Sequence, residues 1–157
     1  MAEVSPTPKR KRTANPEPAV MRISIERATA LLRTRQQRAT VETNDQEDQA
    51  LHCIIDQGML QNGYPSVSHS HTEANIQVSH LVLRVEKGIV PIRAERETAS
   101  HLCHNKRCIR AEHIIIESIG QNGRRNGCLA FVACSDCTIR VNACGHEPHC
   151  ILPFPRE

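Results

Sequence analysis

The sequence predicts an α+β fold in which a helix and a small antiparallel sheet are held together by metal, and three observations favour this. Only 2% of the 157 residues are aromatic, and Trp is absent. Large aromatic side chains bury the most area per residue, so an apolar core would be thin here. The chain carries 8 Cys and 9 His, crowded mostly into its C-terminal third. Short apolar runs alternate with turn signals through its middle, which is typical of short strands.

Charge and composition indicate the compartment that we expect. The formal net charge is +3 and the isoelectric point is near 8.5, which neither demands nor excludes a nucleic-acid partner. No stretch approaches the roughly 20 apolar residues of a membrane-spanning helix, and residues 1–12 lack the apolar run of a secretory signal. We therefore expect an intracellular chain, without a membrane partner, whose cysteines bind metal. A disulfide-linked secreted protein is the alternative.

Residues 1–22 are predicted to form a disordered tail. Proline and charged residues dominate the segment, so it cannot bury enough apolar surface to offset the entropy lost on folding. Within it stands a run of four basic residues, Lys9, Arg10, Lys11 and Arg12. Such a run beside proline is typical of a nuclear-import signal and predicts a nuclear location. The alternative is a solvated tail that adds non-specific attraction to phosphates.

An amphipathic helix and an acidic linker are predicted over residues 23–49. From Ser24 to Arg38 the apolar residues recur near helical spacing, and Ser24 can cap the helix. Four arginines occupy the opposite face: Arg27, Arg33, Arg35 and Arg38. They either lie in solvent or follow a phosphate backbone. The linker from Glu42 to Asp48 is acidic, so we expect a surface loop that repels DNA.

Residues 50–157 are predicted to form the third unit, a small sheet followed by a Cys/His-rich region. Asn62 to Pro65 has the composition of a turn. Ile76 to Val85 is interpreted as a strand with alternating side chains, and the Lys87-Gly88 pair as the turn after it.

The first group of metal-ligand candidates contains Cys103, Cys108 and His113, each five residues from the next. Zinc favours thiolate and imidazole ligands in a tetrahedral array, and a closed structural site needs four of them. Upstream of this group there is a single cysteine, Cys53, which can supply the fourth. Its recruitment would fasten the early part of the sheet to the later motif.

The second group offers seven candidates for four positions: Cys128, Cys134, Cys137, Cys144, His146, His149 and Cys150. The spacing of Cys134 and Cys137 is that of a zinc knuckle, while Cys144, His146 and Cys150 place three ligands on one tight loop. One further zinc is expected in this group. Free buried thiols are the alternative for both groups.

The residues of this region closely resemble the His-Cys box homing endonucleases, a branch of the ββα-metal (HNH-like) nucleases. The motif that carries the resemblance consists of His101-Leu102-Cys103-His104-Asn105, Cys108, His113, Glu117-Ser118, Asn122, Arg124-Arg125-Asn126 and Cys128. The resemblance extends roughly from Cys53 to Cys150. It implies a ββα-metal motif, two structural zinc ions and a magnesium-dependent endonuclease that hydrolyses phosphodiester bonds of double-stranded DNA. Homing enzymes of this family act as dimers, so the resemblance also suggests a homodimer.

The resemblance also implies residue roles. His101 would be the general base, and Asn122 would be the protein ligand of a single catalytic Mg²⁺. The first zinc would take Cys53, Cys103, Cys108 and His113, and the second would take Cys128, Cys144, His146 and Cys150. Cys134 and Cys137 would remain unassigned, as competitors for the second metal.

One departure from the family pattern concerns the phosphate. Family members carry an arginine soon after the Asn-Gly turn, where this chain has Ser66, and no arginine occurs between Cys53 and Arg84. Loss of a preorganised charge can cost orders of magnitude in rate. A zinc-bound DNA-binding or regulatory module without catalysis is therefore the alternative function. Basic residues are available for DNA contact in either case: Arg84, Arg93, Arg96, Lys106, Arg107, Arg110, Arg124 and Arg125.

Overall fold

The computed structural model describes residues 18–42, 52–69, 74–128, 131–133 and 140–151. The basic run Lys9 to Arg12, nearly all of the acidic linker, Cys134 and Cys137 lie outside these residues. Within them the α+β prediction is confirmed, because three α-helices combine with short antiparallel sheets. No helix of this part is both long and apolar enough to cross a membrane.

The elements follow one another from a short 3₁₀ turn at Ala19–Arg22 onward. The helices are α1 (Ile25–Gln36), α2 (Val78–Lys87) and α3 (Ile119–Arg125). The strands are β1 (Thr40–Glu42), β2 (Cys53–Ile55), β3 (Leu60–Gln61), β4 (Tyr64–His69), β5 (Ala74–Gln77), β6 (Glu97–His101), β7 (Ile114–Ser118), β8 (Phe131–Ala133) and β9 (Arg140–Asn142). They form four antiparallel groups: β1 with β2, β3 with β4 and β5, β6 with β7, and β8 with β9.

Helix α1 begins where the sequence predicts. The side chain of Ser24 accepts a hydrogen bond from the backbone N–H of Arg27 and so caps the helix N-terminus. Ala28 and Leu32, one turn apart, are buried, because they pack into the same core as the residues of α2. The predicted turn is also present, at Asn62 and Gly63 between β3 and β4, where both residues have positive φ.

The strand predicted over Ile76 to Val85 is wrong beyond Gln77. Strand β5 ends there, and α2 starts at Val78 and ends at Gly88, whose φ of 68° is the left-handed conformation of a helix C-cap. Val78, Leu81 and Val82 are all fully buried, at spacings of three and four residues. The β-branched residues favoured a strand, but the apolar period is that of a helix.

Among the described residues, an aliphatic core joins α1 and α2 to strands β5, β6 and β7. Its buried members are Val20, Ile23, Ala28, Leu32, Ile76, Val78, Leu81, Val82, Leu83, Ala99, Ile109 and Ile114. None of these is aromatic, and each buried Val, Leu or Ile side chain contributes about 1.5–3 kcal/mol from transfer out of water. The core is therefore small, and it includes α1 as well as the Cys/His-rich region.

The side chain of Arg35, one of the arginines of α1, points into the protein. Its guanidinium lies 3.3 Å from the fully buried carboxylate of Asp56 and donates to the carbonyl of Ser66. A side chain at Gly58 would overlap this guanidinium, because a Cβ built there lies 1.1 Å from Arg35 Nη1. Arg35 thus fastens α1 to the β2–β4 region and is not available to a phosphate backbone.

Candidate metal centres and active site

Strands β6 and β7 and helix α3 form a ββα unit that carries the candidate catalytic residues. The two strands pair from Glu97 opposite Ser118 to His101 opposite Ile114. Helix α3 starts directly after β7, because Ser118 and Gln121 make a reciprocal capping box at its N-terminus. The unit therefore fixes the end of β6 relative to one short helix.

The structure brings together the four residues of the first proposed zinc site. The ligand atoms of Cys53, Cys103, Cys108 and His113 all lie within 4.8 Å of one another. His113 directs Nδ1 toward the cysteines, at 3.7 Å from Cys53 Sγ and 3.5 Å from Cys108 Sγ. Neighbouring ligand atoms of a tetrahedral zinc site lie about 3.6 to 3.8 Å apart, given the usual zinc bond lengths. The donor set and its spacing thus fit zinc.

Cys53 is distant in sequence from the other three ligands, and backbone hydrogen bonds hold it beside them. Strand β2 meets the 103–113 loop at an isolated bridge between Ile55 and Cys108. Ile109 N donates to Ile54 O at 2.7 Å, and Asp56 N donates to Arg107 O at 2.9 Å. The position of Cys53 is therefore set by strand pairing with the loop as well as by any metal.

In the first cluster, ionisation of one thiol opposes ionisation of the other two. Hydrogen bonds from Cys103 and Cys53 lower the pKa of Cys108, and donation of that bond to Cys108 raises the pKa of Cys103. Thiolates packed this closely repel one another, so a divalent cation is what would allow all three to be ionised together.

The second cluster joins Cys128, Cys144, His146 and Cys150, again within 4.8 Å of one another. Cys128 Sγ and Cys144 Sγ are 3.6 Å apart, and His146 Nδ1 lies 3.2 Å from Cys144 Sγ and 3.7 Å from Cys150 Sγ. This set also fits zinc. Cys134 and Cys137 belong to the segment outside the described residues, so their relation to this cluster stays a prediction.

Backbone amides prepare Cys144 to act as a thiolate. Partial burial opposes its ionisation, but the N–H groups of Cys150 and His146 point at Sγ, at 3.3 and 3.4 Å. These hydrogen bonds, together with those from the His146 and Cys150 side chains, lower the pKa of Cys144 to about 5. A thiolate is the form that binds metal.

His101 is the last residue of β6 and is 8% exposed. Burial lowers the pKa of its imidazole, while the charge of Cys108 and a hydrogen bond to the Cys108 backbone act in the opposite direction. Nε2 is buried without a hydrogen-bond partner among the described residues. The loop that contains Cys108 therefore holds one edge of the imidazole ring. Nε2, on the other edge, is the nitrogen that can accept a proton.

Asn122 is the fourth residue of α3 and faces β6. Its Oδ1 accepts a hydrogen bond from the Ser100 hydroxyl at 3.0 Å, and Ser100 directly precedes His101. Ser118 caps the helix, so Asn122 has no capping role. Its side chain is only partly buried. An amide oxygen with a second lone pair is a suitable ligand for Mg²⁺, which prefers oxygen and few protein groups.

Several of the basic residues proposed for DNA contact are engaged inside the protein. Arg84 donates to the carbonyls of Val20 and Ile23, and Arg107 donates to those of Asp56 and Gly58. Both contribute to the fold, so neither replaces the arginine that family members carry at the position of Ser66.

Lys106 is an exposed cation whose charge acts on His101. Its Nζ lies 5.0 Å from the ring centroid of Tyr64, two residues before Ser66. Its positive charge is among the influences that lower the pKa of His101, after burial. Lys106 thus places a positive charge beside the ring of Tyr64, two residues from Ser66, the position at which family members carry an arginine.

Arg125 was expected to contact DNA, and the structure contradicts this. The side chain is 3% exposed and lies 2.9 Å from the buried carboxylate of Glu117. It also contacts Pro148, Glu147 and Cys150. These residues belong to the loop over residues 144–150 that carries three ligands of the second cluster, here called the second metal loop. The sequence offered no signal for this ion pair, because an eight-residue separation from a strand to a helix end has no regular period.

Comparison with known proteins gives one result. Residues 56–157 match the family model described as the zinc-binding loop region of homing endonuclease. No curated protein and no solved structure matches the chain. The matched region covers both candidate metal clusters except Cys53, which the fold adds from β2. Since the match spans well over half of the sequence, the chain belongs to the homing endonuclease zinc-binding family.

Proposed function

We propose that the protein is a magnesium-dependent DNA endonuclease in which His101 is the general base and Asn122 the magnesium ligand. One observation carries the proposal. The Ser100 hydrogen bond holds the Asn122 oxygen beside the strand end that bears His101. An oxygen ligand for a hard cation and an unpartnered imidazole nitrogen thereby belong to one rigid ββα unit.

In the proposed mechanism, His101 Nε2 removes a proton from the attacking water. The lowered pKa keeps the imidazole neutral at physiological pH, and the contact with the Cys108 backbone fixes the orientation of the ring. Magnesium, when bound, supplies Lewis-acid stabilisation of the phosphate and of the departing oxygen. Asn122 would hold that ion from the adjacent helix. Lys106 would attract and hold the phosphate.

The two zinc ions would be structural, because protein ligands fill all four positions at each proposed site. Cys53, Cys103, Cys108 and His113 would hold the first ion on both sides of the loop that follows His101. Cys128, Cys144, His146 and Cys150 would hold the second. Metal ligation would supply the rigidity that a small aliphatic core lacks.

The proposed substrate is double-stranded DNA. The exposed side chains of Arg93, Arg96, Lys106 and Arg124 remain available for phosphate contacts, which position the protein without specifying sequence. A homodimer and a nuclear location directed by Lys9 to Arg12 are part of the same proposal.

A non-catalytic DNA-binding module is the second candidate, and Ser66 favours it. In this case the zinc sites and the DNA affinity would persist, and hydrolysis would be absent. Gel mobility shift without cleavage product is the result that this candidate predicts.

The deciding experiment is nicking of supercoiled plasmid by the purified full chain with Mg²⁺. We expect His101→Ala and Asn122→Ala to reduce the rate at least 100-fold while both proteins keep their zinc. Asn126→Ala is the matched control, since Asn126 is exposed at the end of the same helix. Equal cleavage by wild type and His101→Ala would contradict the catalytic assignment.

A further inference from the structure

The guanidinium of Arg125 joins three parts of the molecule. Nε donates to both carboxylate oxygens of Glu117 on β7, at 3.0 and 2.9 Å. Nη1 donates to Pro148 O at 2.8 Å and lies 3.5 Å from Cys150 Sγ, while Nη2 donates to Glu147 O at 3.4 Å. The backbone of Arg125 itself ends α3. One buried side chain therefore links the ββα unit to the second Cys/His cluster.

The charge of Arg125 suits a metal-bound thiolate. Three thiolates around a divalent zinc ion leave one surplus negative charge, and a buried charge is costly unless it is paired. Arg125 lies against the Sγ of Cys150, which is 2% exposed. Groups that hydrogen-bond to metal ligands orient those ligands and commonly change metal affinity 10–100-fold.

The same loop also contacts the strand side of the candidate site. Ile151 N, next to Cys150, donates to Leu102 O at 2.8 Å, and Leu102 directly follows His101. On the helix side, Arg125 lies one turn after Asn122. The second metal loop is thus bonded to both elements that carry the candidate catalytic residues.

We propose that Arg125 is a positioning residue that couples the second metal cluster to α3: it hydrogen-bonds the Cys150 thiolate so that metal is retained, and it holds the helix that bears Asn122. The first half stands on the metal cluster alone. The second half rests on the proposed function, since it concerns how Asn122 meets magnesium.

The test compares zinc release from full-length variants mixed with an excess of a chromogenic chelator. Arg125→Met is expected to speed the release of one of two zinc ions at least tenfold. Arg124→Met is the matched control and should release zinc like the wild type, because Arg124 is exposed on the same helix. Arg125→Lys keeps the charge but has a shorter reach, so we expect an intermediate rate.

A double variant separates the metal contact from the ion pair. Replacing both partners of a buried pair by apolar residues often preserves stability, so Glu117→Leu with Arg125→Met should fold even if Arg125→Met alone does not. We expect this double variant to release zinc at least ten times as fast as the wild type. Wild-type release from the folded double variant would overturn the proposal, since Arg125 would then matter only as the partner of Glu117.

Cleavage tests the coupling to α3. With zinc kept saturating, Arg125→Met is expected to need a severalfold higher Mg²⁺ concentration for half-maximal nicking, while Arg125→Lys recovers part of the loss. An unchanged Mg²⁺ requirement would overturn the coupling. If the wild type does not nick DNA at all, the proposed function is wrong, and zinc release still decides the role of Arg125 at Cys150.

Discussion

The hydroxyl of Ser100 lies 3.0 Å from Asn122 Oδ1 and donates a hydrogen bond to it. Ser100 is 1% exposed, so this bond forms in a place that water hardly reaches. It joins β6 to α3 at the level of His101. The bond thus sets the distance between the proposed base and the proposed magnesium ligand.

Loss of this bond should weaken magnesium-dependent cleavage. We expect Ser100→Ala to reduce the nicking rate about fivefold at limiting Mg²⁺, because a neutral hydrogen bond contributes about 1 kcal/mol and its loss leaves the Asn122 amide free to rotate. Titration of nicking with Mg²⁺ measures the effect. Thr98→Ala on the same strand is the control, since the Thr98 hydroxyl makes only a long 3.5 Å contact to the next carbonyl. Equal Mg²⁺ dependence of both variants would argue against a role of the bond in cleavage.

Cys53 should determine how much zinc the protein holds. We expect about two zinc ions per wild-type chain and about one for Cys53→Ala, since its thiol belongs to the first cluster. The variant should also be less stable by several kcal/mol, because β2 would lose the proposed metal link to the 103–113 loop. Metal analysis and urea unfolding measure the two effects. Cys134→Ser with Cys137→Ser should keep both zinc ions; loss of one there would assign the second site differently.

Lys106 should support cleavage without affecting the zinc sites. Lys106→Met is expected to lower the nicking rate 10- to 100-fold, because the site would lose the charge that is proposed to hold the phosphate. Zinc content should not change, since Lys106 is exposed and contacts the Tyr64 ring. Arg96→Met is the comparison for an exposed charge elsewhere on the surface. Similar small losses in both variants would indicate general attraction to DNA rather than a local role.

His80 should make the protein less stable in mild acid. Burial in α2, with a smaller effect of the nearby Arg93 charge, lowers the pKa of His80 to about 4. Above pH 6.5 the imidazole is neutral in both the folded and the unfolded chain. As the pH falls from 6.5 toward 4, His80 becomes protonated in the unfolded chain but stays neutral in the folded chain. The free energy of unfolding therefore decreases.

Urea unfolding at pH 7.5 and 5.5 checks this effect with zinc in excess. Between these values we expect the wild type to lose about 1 kcal/mol more stability than His80→Gln, which has no proton to gain. Zinc ligands protonate equally in both proteins, so the difference isolates His80. Parallel losses would show that His80 does not control the acid sensitivity.

The helical part of the fold was only partly predictable. Ser24 and the apolar period identified α1, because capping and periodicity are local properties. The strand predicted over Ile76 to Val85 was wrong from Val78 onward, because its β-branched residues were given more weight than the helical period of Val78, Leu81 and Val82. Burial of that face against α1 decided for the helix.

The sequence by itself determined the fold class and the family of this protein. Its scarce aromatics, its Cys and His spacings and the motif from His101 to Cys128 were sufficient to predict an α+β fold and the homing endonuclease family, because metal-ligand types and short spacings can be recognised without coordinates. Only the tertiary structure decided which side chains meet across long separations outside the predicted ligand sets: Arg35 with Asp56, and Arg125 with Glu117 and Cys150. Such contacts depend on how whole elements pack, and no local pattern in the chain encodes them.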